Sequence, residues 1–443
     1  MQSIMSYQQM GRLALPVIAA QSVVLINGMT DLAFIAPYGT EAIAAVAIAN
    51  TLCAALLNFL EGFRLGTTIL VAEASTANNS AKAAAVVNSG ICLVAIIGGL
   101  LLVLASPVSH WVYTLSGNEQ MAHHGTAYLT IWLGTIPLIL TSFVLTGLFR
   151  GLKDTATPFY SALIICLLNI ILAYALVGGG FGFPRLGVKG AAWATLLANL
   201  TGVSSLFLLA VKKPLTRQAI NWRQPFIKQV REYVRLAVDV GLNTGFTLLA
   251  LLLFVCIIKP LGTAALAVHQ ITLQVFNFTY LPAVGFLITA SIIVPPILEK
   301  QPELLTPTVS RLCKLSFGTA VIISGLLLLF SQAVSSFFSP ADKQVAEQAA
   351  GTLKLVCAGQ LFSSLYLVLR GVLTGCRDTR FIVCEGLVSG YLVFLPLAYL
   401  LAIQSGWGIY GGYIAFLAWC ITDCATLAWR FYQRRNAFNR AAD

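Results

Sequence analysis

Apolar residues occur along this chain in long blocks, separated by short stretches that are polar or contain glycine. The blocks fall at 13–37, 42–72, 83–106, 125–149, 159–180, 187–211, 236–258, 264–295, 312–334, 350–373, 381–403 and 409–430. An α-helix needs roughly 20 predominantly apolar residues to cross a bilayer, and every block meets that length. The pattern predicts an all-α polytopic membrane protein with twelve transmembrane helices. The second and eighth blocks are long enough to tilt or break, and Pro282 interrupts the eighth.

Matching landmarks recur in the two halves. Gly39-Thr40 with Ala42 and Ala44 returns as Gly262-Thr263 with Ala265 and Ala267, 223 residues later, and Gly62-Phe63 returns as Gly285-Phe286 at the same offset. Gly147, Gly151, Asp154 and Thr155 return as Gly371, Gly375, Asp378 and Thr379 at 224, and Gly187 and Gly190 as Gly408 and Gly411 at 221. Six helices per repeat, an even number, make the halves parallel, with pseudo-two-fold symmetry along the membrane normal. Such repeats are a transporter signature. The expected divisions are an N-lobe at 1–211, a basic amphipathic linker at 212–235, a C-lobe at 236–431 and a basic tail at 432–443. In the linker, Ile220, Trp222, Phe226, Ile227, Val230 and Tyr233 fit a helix lying on the inner leaflet.

Composition sharpens the class. Hydrophobic residues make up 58% of the 443 and charged residues 10%, with a mean hydropathy of +0.85, whereas a soluble domain carries about 25% charged residues. No short apolar run followed by a small-residue cleavage site opens the chain, so no cleaved signal peptide is expected. The net charge of +11 raises nucleic acid as a partner, but its distribution points to topology instead. With both termini inside, 21 of the 27 Lys and Arg fall in cytoplasmic segments, five in outer ones, and Arg64 within a helix. That bias fixes the orientation by the positive-inside rule. Ten cysteines are scattered without a C-x-x-C pair, which suits packing residues better than a metal site.

A few polar residues interrupt the blocks, and in a membrane these are candidate functional groups. Asp31 lies well inside the first, one helical turn after Asn27 and fifteen residues after Pro16. A carboxylate at that depth costs on the order of 3 kcal/mol unless hydrated, protonated or paired, and Pro16 removes a helix hydrogen bond and invites a bend. Asp31 plus 223 is Phe254, so the second half has no twin of this acid. Glu61 and Arg64 share a face and are expected to pair. His123-His124 falls in the outer loop 107–124 as an exposed pair. Asn169 lies near mid-membrane in the fifth block, where an amide calls for an interhelical partner, and Thr195 and Asn199 stripe the sixth. Gln270, Gln274 and Asn277 line one face of the eighth block and suit a substrate path or, failing that, hydrogen bonds between helices. Glu385 and Asp423 lie toward the inner side, with Arg377 or Arg430 as expected partners.

LALP with Asp31, GLFRGLKDTATP at 147–158, NIILAY at 169–174 and LGVKGAAWAT at 186–195, taken in order, resemble the multidrug and toxic compound extrusion (MATE) transporters. The resemblance implies two six-helix lobes enclosing a central cavity, alternating between outward- and inward-facing states. It implies export of amphipathic or cationic small molecules driven by inward protons or sodium, with no other cofactor. In the DinF-like branch the coupling site lies in the first lobe; carried over, it comprises Asp31, Asn169 and Tyr128, with Asn27 and Thr195, and a bend at Pro16 responding to Asp31. The Asp that such members place four residues after the helix 5 Asn is here Ala173, which favours a lone protonatable Asp31 over a two-carboxylate sodium site. The NorM-like branch uses carboxylates on helices 7 and 10; the tenth block has none, and Asp239 sits low on the seventh. A flippase for lipid-linked saccharide precursors is the alternative, and an intramembrane enzyme the remote one, since H-E-x-x-H and D-D-x-x-D are absent. The expected setting is a bacterial inner membrane, with the protein acting as a monomer in contact with lipid and small molecules and not nucleic acid.

Overall fold

The computed structural model describes residues 5–115, 119–221, 227–340 and 342–440. In chain order its helices are α1 (Tyr7–Ile35), α2 (Thr40–Thr76), α3 (Ser80–Thr114), α4 (Glu119–Gly151), α5 (Ala156–Gly178), α6 (Val188–Lys212), the short α7 (Pro214–Gln218) and α8 (Ile227–Ile258). There follow α9 (Thr263–Lys300), α10 (Leu305–Phe338), α11 (Lys343–Gly375), α12 (Thr379–Leu387), α13 (Leu395–Tyr399) and α14 (Gly408–Arg440). Among the described residues, twelve helical segments are long and apolar enough to cross a membrane. The eleventh, Thr379–Gln404, joins α12 to α13 through wide π turns at Val388–Phe394 and ends in others at Leu400–Gln404. These flank Pro396, which has no N–H to give to a regular helix. The two long helices, α2 and α9, run unbroken.

The chain packs as two compact units, Ala19–Gly241 (the N-unit) and Met1–Ile18 with Leu242–Asp443 (the C-unit). The divisions fall inside α1 and α8, at positions that the repeat offset of 223 relates, and not in the segment 212–235. That segment is also not one amphipathic surface helix. It holds α7 and the start of α8, while Trp222 and Phe226 lie outside the described residues. Tyr233 is fully buried in the N-unit, its hydroxyl donating to the Phe63 carbonyl (2.9 Å) and meeting the Thr67 hydroxyl (2.8 Å). Tyr233, read as part of a membrane-surface stripe, is instead packed within a crossing helix. His123 and His124 likewise sit in the first turns of α4 and not in a loop.

Helices in lipid gain little from hiding apolar surface from one another, so close backbone approach and polar contacts hold them. In the N-unit a Cβ at Gly147 would lie 2.5 Å from Thr67 Cβ, and one at Gly151 would lie 2.8 Å from the Thr68 carbonyl, both on α2. The twins do the same in the C-unit. Gly371 meets the Leu287 carbonyl of α9, and a Cβ at Gly375 would lie 2.9 Å from Val294 Cβ.

The turns after α4 and α11 also match. Lys153 (φ 64°) and Arg377 (φ 60°) adopt the left-handed conformation, and the N–H groups of Asp154 and Asp378 reach back to the Phe149 and Leu373 carbonyls, both at 2.9 Å. Asp154 then accepts from Lys213 Nζ (2.6 Å), the Thr157 hydroxyl (2.7 Å) and the Thr157 N–H (3.0 Å). Asp378 takes Arg430 (2.8 Å) and Arg434 (3.2 Å), so the expected pairing of Arg430 with Glu385 or Asp423 is not what the fold makes. Lys213 and Arg434 are twins at the offset of 221.

Adding a methyl at Gly151 or Gly375 should cost about 1–3 kcal/mol through overpacking. The same change at Gly318 or Gly325 on α10, where a Cβ meets nothing within 4 Å, should leave stability unchanged or raise it by about 0.5–1 kcal/mol. Thermal unfolding in detergent separates the two classes. Burial pushes the Asp154 carboxyl up, but Lys213 and Thr157 outweigh it and hold the group below the usual carboxylate value. Its contribution is present above the unfolded-chain value near about 3.9 and is lost as pH falls through the lower folded value. Asp154→Ala should cost about 1 kcal/mol at neutral pH, a deficit that disappears on acidification.

Candidate functional site

Asp31 is carried by the half of α1 that belongs to the N-unit, and it is 7% exposed. The 3.6-residue period puts Asn27 on the same face one turn earlier. From α5, Asn169 (1% exposed) reaches both: its Nδ2 donates to Asp31 Oδ1 at 2.6 Å and to Asn27 Oδ1 at 3.1 Å. Asn27 also anchors its own turn, its carbonyl accepting from the Thr30 hydroxyl at 2.8 Å. Asn169 Oδ1 is buried with no donor. The result is one carboxyl gripped by an amide from another helix, with an unused acceptor beside it. A proton on Asp31 would add a donor where acceptors are in excess.

Tyr128 of α4 is buried and lies within electrostatic range of Asp31, but its hydroxyl donates to Asn50 Oδ1 of α2 at 3.1 Å. Cys166, three residues before Asn169, shares that electrostatic neighbourhood. Thr195 does not join the group by hydrogen bonding. Its hydroxyl donates to the Ala191 carbonyl of its own helix (3.1 Å), as hydroxyls in helix interiors often do. Ala173 is fully buried and supplies no oxygen. Sequence reasoning missed Asn50, an amide in α2 with no motif around it, and Cys166.

On α9 the buried face is Ala265, Val268, His269, Thr272 and Val275, with His269 Nδ1 3.0 Å from the Tyr413 hydroxyl. Gln270 and Asn277 are exposed and Gln274 is half-buried, so this stripe lies away from the C-unit core. Pro16 sits inside α1, which remains helical through it, and the last α1 residue of the C-unit is Ile18. Glu61 and Arg64 pair as expected (Nε to Oε1, 2.6 Å), with Arg64 stacked over Phe143 at 5.0 Å. Arg150 is 3% exposed and interacts electrostatically with both. Among the described residues no three His, Cys, Asp or Glu side chains cluster as a metal site would require.

Asn169→Ala should lower thermal stability by about 1–3 kcal/mol, because it removes a buried partner of a carboxyl. A double-mutant cycle with Asp31→Ala should return a coupling energy of about 0.5–2 kcal/mol. Unfolding of the four proteins in one detergent measures it, and additive effects would contradict the contact.

The family model described as MatE matches this chain twice, at residues 16–175 and 241–400, one match in each half. Over 410 residues the chain is 25% identical to "Probable multidrug resistance protein NorM" of Thermotoga maritima, covering 92% of this chain and 88% of that protein. A protein of the same name from Pseudomonas aeruginosa is 28% identical over 431 residues, with coverages of 92% and 86%. Among solved structures, the one described as "Crystal structure of MATE in the bent conformation" superposes with a TM-score of 0.86 at 17% identity, over 98% of this chain and 96% of that one. The "Outward-facing conformation of a multidrug resistance MATE family transporter of the MOP superfamily" gives 0.84 at 17%, over 97% and 96%. With matched segments in both repeats that together exceed half its length, this chain belongs to the MatE family and is an integral membrane protein of twelve crossing helices.

Proposed function

We propose that this protein is a secondary active multidrug efflux transporter, exporting amphipathic or cationic small molecules in exchange for protons flowing inward. Its place is a bacterial inner membrane with both termini in the cytoplasm. The family and the names of the relatives, multidrug resistance proteins and not enzymes, support the transport class. The observation that carries the coupling is the buried Asn27–Asp31–Asn169 group in α1 and α5.

Asp31 accepts a proton from the outer side. Once neutral, it no longer needs the Asn169 amide as a donor, and α1 is free to change its packing around Pro16. That proline lies two residues before the point where α1 passes from one packing unit to the other. A change at Asp31 therefore bears on a helix whose beginning is held elsewhere. Coupling follows if proton and drug bind the two states with different affinities. The amides of Gln270 and Asn277, which are exposed, and of half-buried Gln274 are assigned to the substrate path. Buried Ala173, standing where a second carboxylate would complete a sodium site, supports the proton as the coupling ion.

Proteoliposomes with separately imposed proton and sodium gradients test the reading. A proton gradient alone should drive efflux of a cationic dye and a sodium gradient alone should not. Asp31→Asn, inserted at normal levels, should reduce efflux to that of empty vesicles. Undiminished efflux by Asp31→Asn would remove this carboxyl from the mechanism.

A further inference from the structure

Glu385 of α12 and Asp423 of α14 are 6% and 7% exposed, within the C-unit, and their carboxyl groups are in hydrogen-bond contact with each other. The Thr426 hydroxyl donates to Glu385 Oε1 at 3.0 Å. Beside them, the Trp419 indole donates to the Ser389 hydroxyl at 3.1 Å, and Ser389 lies in the π turn that follows α12. Glu385 Oε2 and Asp423 Oδ1 are buried without any donor. Such orphaned acceptors are costly, and one proton on the pair removes the deficit by turning a carboxylate oxygen into a donor.

The surroundings set the charge. Arg370 of α11 is the cation that faces the pair, and its Nη2 is also 3.3 Å from the Thr244 hydroxyl. The other titratable groups facing it are Tyr366 of α11, Tyr280 of α9, and Cys420 and Cys424 of α14. One carboxylate balances Arg370. A second, touching the first in an apolar interior, would not be balanced, since like charges this close cannot both ionise cheaply.

The internal repeat shows that the fold does not require these acids. At offsets of 224 and 221, Glu385, Asp423 and Thr426 correspond to Ser161, Gly202 and Ser205. There the Ser161 hydroxyl donates to the Gly202 carbonyl (3.1 Å) and meets Ser205 (3.4 Å). A serine and a glycine make the same helix contact in the N-unit.

We propose that Glu385 and Asp423 form a second proton site, a dyad that shares one proton and exchanges it, independent of Asp31. The inference stands beside the Asp31 reading and not on it, and its test needs no transport. The full-length Asp31→Asn protein in lipid should show a protonated-carboxyl infrared band that changes with pH across the physiological range. Adding Glu385→Ser with Asp423→Gly, the solution of the other repeat, should abolish that band while thermal unfolding shows a folded protein. Should that combination not fold, Glu385→Gln and Asp423→Asn singly should each shift or remove the band. A band that does not titrate, or one that survives these substitutions in folded protein, overturns the proposal. If efflux fails in Asp31→Asn while the dyad band titrates, or the reverse, the two sites are decided separately.

Discussion

A polar side chain in the hydrocarbon of a bilayer must find its partner inside the protein, and the buried chemistry of this molecule follows from that requirement. Asn169 can sit at mid-membrane because Asp31 and Asn27 receive its N–H groups. Asp31 can lie buried because an amide from another helix reaches it. Glu61 is paired with Arg64 and Tyr128 with Asn50. Of the buried polar atoms left without a partner, three lie at acids: Asn169 Oδ1 beside Asp31, and Glu385 Oε2 and Asp423 Oδ1 on the pair. Where the unpartnered atom is a carboxyl oxygen or lies beside one, a proton has somewhere to go.

The same scarcity of partners explains the glycines. With no solvent to drive helices together, contact depends on how nearly two backbones can meet. Gly147 and Gly151 bring α4 onto α2, and Gly371 and Gly375 bring α11 onto α9. The paired turns with Lys153 and Arg377, and the ion pairs of Asp154 and Asp378, complete a frame that both repeats share. What differs between the repeats is what has been set on the frame. Asp31 has Phe254 as its counterpart, and Ser161 and Gly202 have Glu385 and Asp423.

The architecture was legible because its signals are long-range repetitions of simple chemistry: twelve apolar runs, and glycines and acids at one offset. The Asn27–Asp31–Asn169 contact was legible because few amides and acids occur at that depth. Three features were not. The start of α8 reads as part of a surface stripe, since a helix lying on a membrane and the first turns of a crossing helix share one period; only packing shows that Tyr233 enters the core. Arg430 was assigned to the wrong acid, because proximity in sequence to a helix end does not reveal that Asp378 lies nearer. Asn50 carries no pattern at all, being one amide whose meaning comes from a tyrosine 78 residues away.

The division of α1 at Ile18 and α8 at Gly241 bears on how the molecule is made. Neither packing unit is a continuous piece of chain. The start of α1 is synthesised well before the residues that cover it: Met10, Ala14 and Val17 share a buried cluster with Phe286, Leu367 and Leu427. During biosynthesis those early residues stay without their lasting neighbours until the second half has entered the membrane. A chain cut between α6 and α8 would thus yield two fragments that each lack part of their own core.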